Sequence, residues 1–388
     1  MAAHPLRKYQ FPWRPGNRFE LLIDGHEYFP RMLDAIARAR SHVLLEIYLF
    51  ESGTVSDRFI EALVRAVSRG VMVKLLVDDY GAAKLLWRDR ERLVEAGIDL
   101  LFYNPVQLRH WLGNMFRDHR KLLVVDGEVA FVSGTGITDE FDDPRHPGSS
   151  WRETAVRVSG PALADWQELF EHVWNRHAAL PVQLPAVVSR TETDGMAGRV
   201  APTMSLPVQD IRRSLFHRVR DAGQRVWLAT AYFVPSRKLL RALEHAAEQG
   251  ADVRLLLPGP HTDHPAIRHA GRRFYARLLR AGVRIYEYQP RFLHAKTLLC
   301  DQWASIGSSN FDRWNFRWNL EANQEVDDAR FADSVRAMFE ADFKESIEID
   351  RHTWPRRHRF ARLREWFWGR VDLWLESLGR KRLRRRGE

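Results

Sequence analysis

The sequence predicts an α/β protein assembled from two copies of one unit. Three observations carry that prediction. Short apolar runs alternate with amphipathic stretches along the chain. The segment His119-Arg120-Lys121-Leu122-Leu123-Val124-Val125-Asp126 returns as His294-Ala295-Lys296-Thr297-Leu298-Leu299-Cys300-Asp301, both spelling H-x-K-x4-D, 175 residues apart. The flanking sequence repeats as well, so the duplication is architectural.

In chain order, Arg58-Phe59-Ile60-Glu61-Ala62-Leu63 leads to Arg69-Gly70 and then to Val73-Lys74-Leu75-Leu76-Val77. Its counterpart, at a constant offset of 180, is Lys238-Leu239-Leu240-Arg241-Ala242-Leu243, then Gln249-Gly250 and Val253-Arg254-Leu255-Leu256-Leu257. Phe59, Leu63 and Val67 fall at helical spacing, and the glycine that follows can end the helix before a continuous apolar strand. Ala96-Gly97-Ile98-Asp99 and Ala281-Gly282-Val283-Arg284 mark a second turn into a strand. Each half therefore reads strand, helix, Gly turn, strand, helix, Gly turn, strand, motif, with a largely buried sheet.

A chain of 388 residues has room for two such domains. The expected division is 1–180 for the first half, 181–207 for a linker, 208–350 for the second half and 351–388 for a tail. The linker contains Pro181, Pro185, Pro202, Pro207, Gly195 and Gly198 with little periodicity, which suggests a solvated connection. The single cysteine, Cys300, excludes an intrachain disulfide, and its apolar surroundings suggest a buried thiol. Met1 to Gln10 lacks the apolar core of a signal peptide, and no run of 18 apolar residues suggests a membrane span.

The net charge is +10, and most of the excess lies in Pro355 to Glu388, with eleven Arg and one Lys against three Glu and one Asp. Phe360, Leu363, Phe367, Val371, Trp374 and Leu378 form one helical stripe there. Such a segment suits the interface of an anionic bilayer. It equally suits a terminal helix packed on its own domain. Nucleic acid is the less favoured partner for it.

A phosphodiester resists attack because it is anionic and its alkoxide is a poor leaving group. A covalent intermediate divides the difficulty. One neutral imidazole can attack phosphorus while a second, protonated, serves the leaving oxygen and then accepts a proton from the incoming alcohol or water. His119 and His294 supply the pair. Lys121 and Lys296 offer positive charge to the nonbridging oxygens. The chain has only eight lysines among 60 basic residues, yet both motif positions are Lys, so the site calls for a compact ammonium. The scheme requires no metal or other cofactor, and no zinc-type cluster is evident.

These motifs resemble the phospholipase D superfamily, named for paired H-x-K-x4-D segments, and within it bacterial cardiolipin synthases of the type without N-terminal transmembrane helices. The resemblance covers roughly Val43 to Asn323. It is carried by His119–Asp126, Trp151-Arg152-Glu153-Thr154 through Gly160-Pro161, Tyr232-Phe233-Val234-Pro235-Ser236, Leu293-His294-Ala295-Lys296, and Gly307-Ser308-Ser309-Asn310-Phe311-Asp312-Arg313 with Asn319 and Glu321. It implies two sandwich domains related by pseudo-twofold symmetry, with the active site at their interface and one histidine phosphatidylated. By resemblance His119 is the favoured nucleophile. The resemblance further implies that Glu321 orients His294 and Glu153 orients His119, that Ser308 and Asn310 add polar donors near the phosphate, and that Asp126 and Asp301 hold the loop after each motif strand. Two departures stand out: Ser133-Gly134-Thr135-Gly136 replaces a Gly-Gly-x-Asn pattern, and Glu153 stands where Asp is usual. Glu46, at a strand end, is a candidate for substrate glycerol or a structural carboxylate. Tyr232 is a candidate for shaping the lipid mouth or for core packing.

The expected reaction is phosphatidyl transfer between two phosphatidylglycerol molecules, giving cardiolipin and glycerol. The partners are phosphatidylglycerol and other anionic phospholipids, with peripheral attachment at the cytoplasmic face of a bacterial membrane. Hydrolysis by the same residues, and a nonenzymatic membrane or nucleic-acid binding protein, are the alternatives.

Overall fold

The computed structural model describes residues 9–107, 113–143, 145–146, 148–187, 190–204, 208–311, 318–356 and 368. The amphipathic pattern expected in the tail, together with Asp312 and Arg313, lies outside the described residues.

The first half runs β1 (Arg14–Ile23), α1 (Gly25–Arg38), β2 (His42–Ile47), α2 (Thr54–Ser68), β3 (Met72–Asp78), α3 (Trp87–Glu95), β4 (Asp99–Tyr103), β5 (Lys121–Val125), β6 (Val129–Ser133), β7 (Thr154–Ser159) and α4 (Leu163–His177). The second runs β8 (Met196–Thr203), α5 (Asp210–Asp221), β9 (Arg225–Ala229), α6 (Arg237–Glu248), β10 (Asp252–Pro258), α7 (Pro265–Arg272), α8 (Tyr275–Arg280), β11 (Arg284–Tyr288), β12 (Thr297–Cys300), β13 (Trp303–Gly307), β14 (Glu321–Asp327), α9 (Ala329–Lys344) and β15 (Ser346–Glu348). The predicted helix ends hold: Gly70 and Gly250, at φ +85° and +95°, take the left-handed conformation that closes α2 and α6.

The strand order is β15-β11-β10-β9-β12-β13-β14-β8-β1-β7-β6-β5-β2-β3-β4. Apart from β15, it reads the same from either edge once each strand is matched with its duplicate. In each half three strands are parallel, linked by helices, and the motif strand adds antiparallel to the innermost of them: β5 to β2, and β12 to β9. That placement puts both motif strands in the middle of their half-sheets. The inner faces of both half-sheets share one hydrophobic core with α4 and α9, while α1–α2 and α5–α6 cover the outer faces with separate cores.

The segment 181–207, expected to be solvated, is not a free linker. Residues 196–203 form β8, which pairs with β14 and β1 and joins the two half-sheets into one. Arg199, Val200, Ala201 and Thr203 are buried there. Pro202 hid the strand, because proline is foreign to central strands. It is tolerated because β1 pairs only with Met196 and Gly198, so Pro202 bonds to β14 alone and its missing N–H faces no partner.

Candidate active site

The two motif histidines sit where the halves touch. Asp118 bridges Leu320, and the His119 N–H donates to Leu320 O at 2.9 Å. Symmetrically, Arg152 bridges Leu293, and the His294 N–H donates to Arg152 O at 2.8 Å. Each histidine thus enters from one half and is backed by main chain of the other.

The carboxylates follow the same rule. His119 Nδ1 lies 3.0 Å from Glu321 Oε1, and His294 Nδ1 lies 2.6 Å from Glu153 Oε2. The expectation from resemblance paired them within each half, so it is corrected: each glutamate orients the histidine of the opposite half. The reason is geometric. Glu153 and Glu321 flank the backbone bridges that cross the interface, which aim them over the boundary. With Nδ1 occupied by a carboxylate, Nε2 is the nitrogen left for phosphorus.

Lys121 Nζ donates to His119 O at 2.6 Å, and Lys296 Nζ donates to His294 O at 2.5 Å. Lys296 Nζ also lies 3.6 Å from Glu153 and close to both ring nitrogens of His294. Nδ1 already faces Glu153, so that proximity acts as a field rather than as two hydrogen bonds. Burial and the two lysines hold His119 well below the ordinary histidine value, and burial and Lys296 push His294 down to about 4. Burial brings Lys121 down to about 7 and lowers Lys296. Burial raises Glu321 to about 8 against the pull of Lys121. Burial and the lysine charges thus draw both imidazoles toward the neutral form, and an anionic phosphate beside them would raise the proton affinity of imidazoles and lysines alike.

Aromatic rings frame the histidines. Tyr48 lies 4.6 Å from the His119 ring, with Lys121 Nζ 4.9 Å over its face. Trp151, Phe141 and Phe292 surround His294 at 5.2–5.7 Å. Tyr232 stands 6.5 Å from His294, half-buried, its hydroxyl 2.5 Å from Asp263, which places it beside the site.

Other expected site residues take different roles. Ser308 does not point a donor at phosphate: its hydroxyl donates to Glu321 at 2.5 Å and accepts from the Ala322 N–H, so it fixes the glutamate. Asn310 is buried with its Oδ1 3.5 Å from Thr230. Glu46 has no exposed surface and faces Arg120 at 3.4 Å inside the half, so it cannot touch glycerol in this conformation. Asp126 and Asp301 lie at the far ends of the motif strands, about 16 Å along the strand from Lys121 and Lys296 at about 3.3 Å per residue. Asp126 accepts from the N–H groups of Arg40, Ser41 and His42, each at 2.8 Å. Asp301 accepts from Gly223, Gln224 and Arg225, each at 2.9 Å. Both sit at positive φ, 54° and 51°, where a short polar side chain is tolerated. Both aspartates thus hold turns at the strand ends remote from the histidines.

Gly134, which keeps the second glycine of the Gly-Gly-x-Asn pattern while Ser133 and Gly136 depart from it, has a steric role. A Cβ there would lie 2.5 Å from Glu153 Oε2 and 2.9 Å from Lys296 Cδ, so only glycine admits that pair. Arg152 lies within one of the shared motifs, with no role assigned to it from sequence. Arg152, fully enclosed, grips Asp342 with both ends of its fork at 3.0 and 2.9 Å and reaches Asp24 at 3.4 Å. Asp24 in turn accepts the Glu153 N–H at 3.0 Å. Nothing local in the sequence links residues 24, 152 and 342.

The sequence model of a family described as "Cardiolipin synthase, PLD-like domain" matches residues 32–174 and 215–343, one stretch per half. The chain belongs to this family. It is 34% identical over 350 residues to cardiolipin synthase A of Pseudomonas aeruginosa, covering 89% of this chain and 70% of that protein. It is 32% identical over 360 residues to cardiolipin synthase A of Pseudomonas putida strain W619, covering 91% and 74%. Among solved structures, phosphatidylserine synthase of Haemophilus influenzae Rd KW20 aligns with a TM-score of 0.69 at 12% identity, covering 94% of each chain. Polyphosphate kinase of Porphyromonas gingivalis aligns at 0.58 and 15% identity, over 86% of this chain and 49% of that one. Both likenesses concern the fold. Membership in the cardiolipin synthase family makes the chain a phosphatidyltransferase of the phospholipase D superfamily. No helix among the described residues is long and apolar enough to cross a membrane.

Proposed function

We propose that the protein transfers a phosphatidyl group from one phosphatidylglycerol to another, through a covalent phosphohistidine. One observation carries the reading: two imidazoles, each held at Nδ1 by a glutamate of the opposite half, flanked by two buried lysines. In the first step His119 Nε2 attacks phosphorus, the bond to the headgroup oxygen breaks, and His294, which takes up a proton as the anionic phosphate binds, passes it to the departing glycerol. In the second, a hydroxyl of the second phosphatidylglycerol gives its proton to His294 and attacks phosphorus, and the P–N bond breaks. Cardiolipin and glycerol result.

The raised proton affinity of Glu321 supports His119 as nucleophile, because a carboxyl that holds its proton leaves its imidazole partner neutral. The close Glu153 contact supports His294 in the role that must carry a proton. Charge on Lys121 and Lys296 offsets the developing negative charge on the nonbridging oxygens. The aromatic wall around His294 limits water and favours an alcohol acceptor. A lipid substrate and the basic tail composition support peripheral attachment, at the cytoplasmic face of a bacterial membrane. Incubation of the full chain with phosphatidylglycerol vesicles, followed by lipid mass analysis, tests the reading. Cardiolipin with glycerol is expected. Phosphatidic acid alone would assign hydrolysis, and unchanged lipid would remove the catalytic reading.

A further inference from the structure

The duplication supplies an internal reference for surface charge. In each half the first two helices after the opening strand pack on one another over the outer face, α1 with α2 and α5 with α6. The fold asks the same of both pairs. Their charges differ. α1 and α2 hold four Arg against two Asp and two Glu, with Arg38–Asp34 and Arg65–Glu61 paired one turn apart. α5 and α6 hold six Arg and one Lys against two Asp and two Glu.

The excess gathers in one place. A groove of about 540 Å³ runs between α5 and α6, walled by Arg213, Arg220, Lys238 and Arg241, with Phe216 in its lining, and among the described residues no carboxylate lines it. Two of the wall cations are paired, Arg213 with Asp210 and Arg220 with Asp221, and Glu244 faces Arg277, so that among the described residues no carboxylate pairs with Lys238 or Arg241. Lys238 Nζ lies 4.4 Å over the Phe216 ring. Arg220, Lys238 and Arg241 are exposed. Lys238 and Arg241, one turn apart on α6, carry a mutual repulsion that the paired Arg38 and Arg65 of the duplicate helices avoid.

The groove also has a direction. β8 ends at Thr203 opposite Glu321, and β9 ends at Ala229 opposite Thr297, next to Lys296. α5 and α6 follow those strand ends, so both begin at the end of the second half where the histidines lie.

We propose that the α5–α6 groove is a docking surface for the anionic headgroups of a phospholipid bilayer, bringing the substrate-bearing membrane to the end of the molecule that holds the site. Its charge is complementary to phosphodiester headgroups, and its place at the outer face leaves the catalytic core untouched. The inference rests on the phosphatidyl-transfer reading only in taking the anionic partner to be a lipid surface.

The test is binding of the full chain to vesicles of phosphatidylcholine with and without phosphatidylglycerol. The variant R220Q/K238Q/R241Q should bind the anionic vesicles about a hundredfold more weakly, since each cation near such a surface contributes a several-fold factor. The variant R31Q/R38Q/R65Q removes the same charge from the duplicate helices and should lose less than about tenfold. Turnover of a soluble short-chain phosphatidyl substrate should be unchanged in both. If the first triple variant does not fold, K238Q/R241Q gives the same comparison with about a thirtyfold expected loss. Equal losses in the two helix pairs, or none in the α5–α6 variant, would overturn the proposal. So would undiminished vesicle binding accompanied by lost binding of a short duplex DNA. Vesicle binding is read without turnover, so a failure to form cardiolipin would sink the transfer reading and leave this result standing.

Discussion

Glu153 and His294 come from opposite halves of a duplicated chain and meet at 2.6 Å; Glu321 and His119 repeat the exchange at 3.0 Å. Neither half therefore contains a complete histidine with its own orienting carboxylate. The active unit is the pair, and each test below depends on that exchange or on the groups that surround it.

A double-mutant cycle should reveal the crossing. Glu153→Gln and His294→Ala should be strongly non-additive in kcat/KM, as should Glu321→Gln and His119→Ala. Each glutamine substitution should cost on the order of a hundredfold, by loosening a proton-transfer group. Coupling of Glu153 to His119 instead would contradict the observed pairing.

Loss of either histidine should abolish turnover. The double variant His119→Ala with His294→Ala should be no worse than the single ones, because the residues act as a unit. Chelator treatment should leave turnover intact, since no step proposed uses a metal. Restoration of a stripped enzyme by a divalent cation would count against the mechanism.

Lys296→Arg keeps charge but not shape. Lys296 has no exposed surface, and its stem runs 2.9 Å from where a Gly134 Cβ would stand. A guanidinium there should displace Glu153 or the phosphate, and a shift of about 1 Å can cost roughly a hundredfold. Steady-state kinetics of Lys121→Arg and Lys296→Arg, with normal rates in both, would reduce the lysines to diffuse charge.

The Glu321 carboxyl should leave a signature in stability against pH. Its folded value, about 8, lies above the ordinary value of 4.5, so between those limits the folded state holds a proton that the unfolded chain releases. Its contribution is full below about 4.5 and declines as pH rises toward 8. Urea midpoints at pH 5 and 7.5 should show wild type losing more stability over that interval than Glu321→Gln. A parallel pair of curves would mean that Glu321 is ionised throughout.

Asp126→Ala and Asp301→Ala should behave as stability variants. Each removes a carboxylate that accepts three backbone N–H bonds. A loss of about 2–4 kcal/mol is expected from unfolding curves, with KM and kcat of the folded fraction close to wild type. A large fall in kcat at unchanged stability would return these residues to the chemistry.

The sequence was legible wherever information is local or repeated. The H-x-K-x4-D pair needed no structure, because the motif strand, its lysine and its turn aspartate lie within eight residues. The α2 and α6 ends were legible because Gly70 and Gly250 tolerate a conformation other residues resist. β8 was not legible, since Gly198 and Pro202 carry the composition of a loop and only the neighbours β14 and β1 make the segment a strand. The resemblance implied Ser308 as a phosphate donor, and the fold commits its hydroxyl to Glu321 instead.

By itself the sequence determined the duplicated α/β plan, the paired histidines and lysines, and a family membership that the comparisons bear out. Only the tertiary structure decided which glutamate serves which histidine, that Glu46 is sealed inside its half, and that Arg152 with Asp24 and Asp342 props the Glu153 side. The physical reason is range. Periodicity and turn chemistry act over a few residues, whereas Glu153 and His294 are 141 positions apart and meet only because the bridges at Leu293 and Leu320 set how the two half-sheets align.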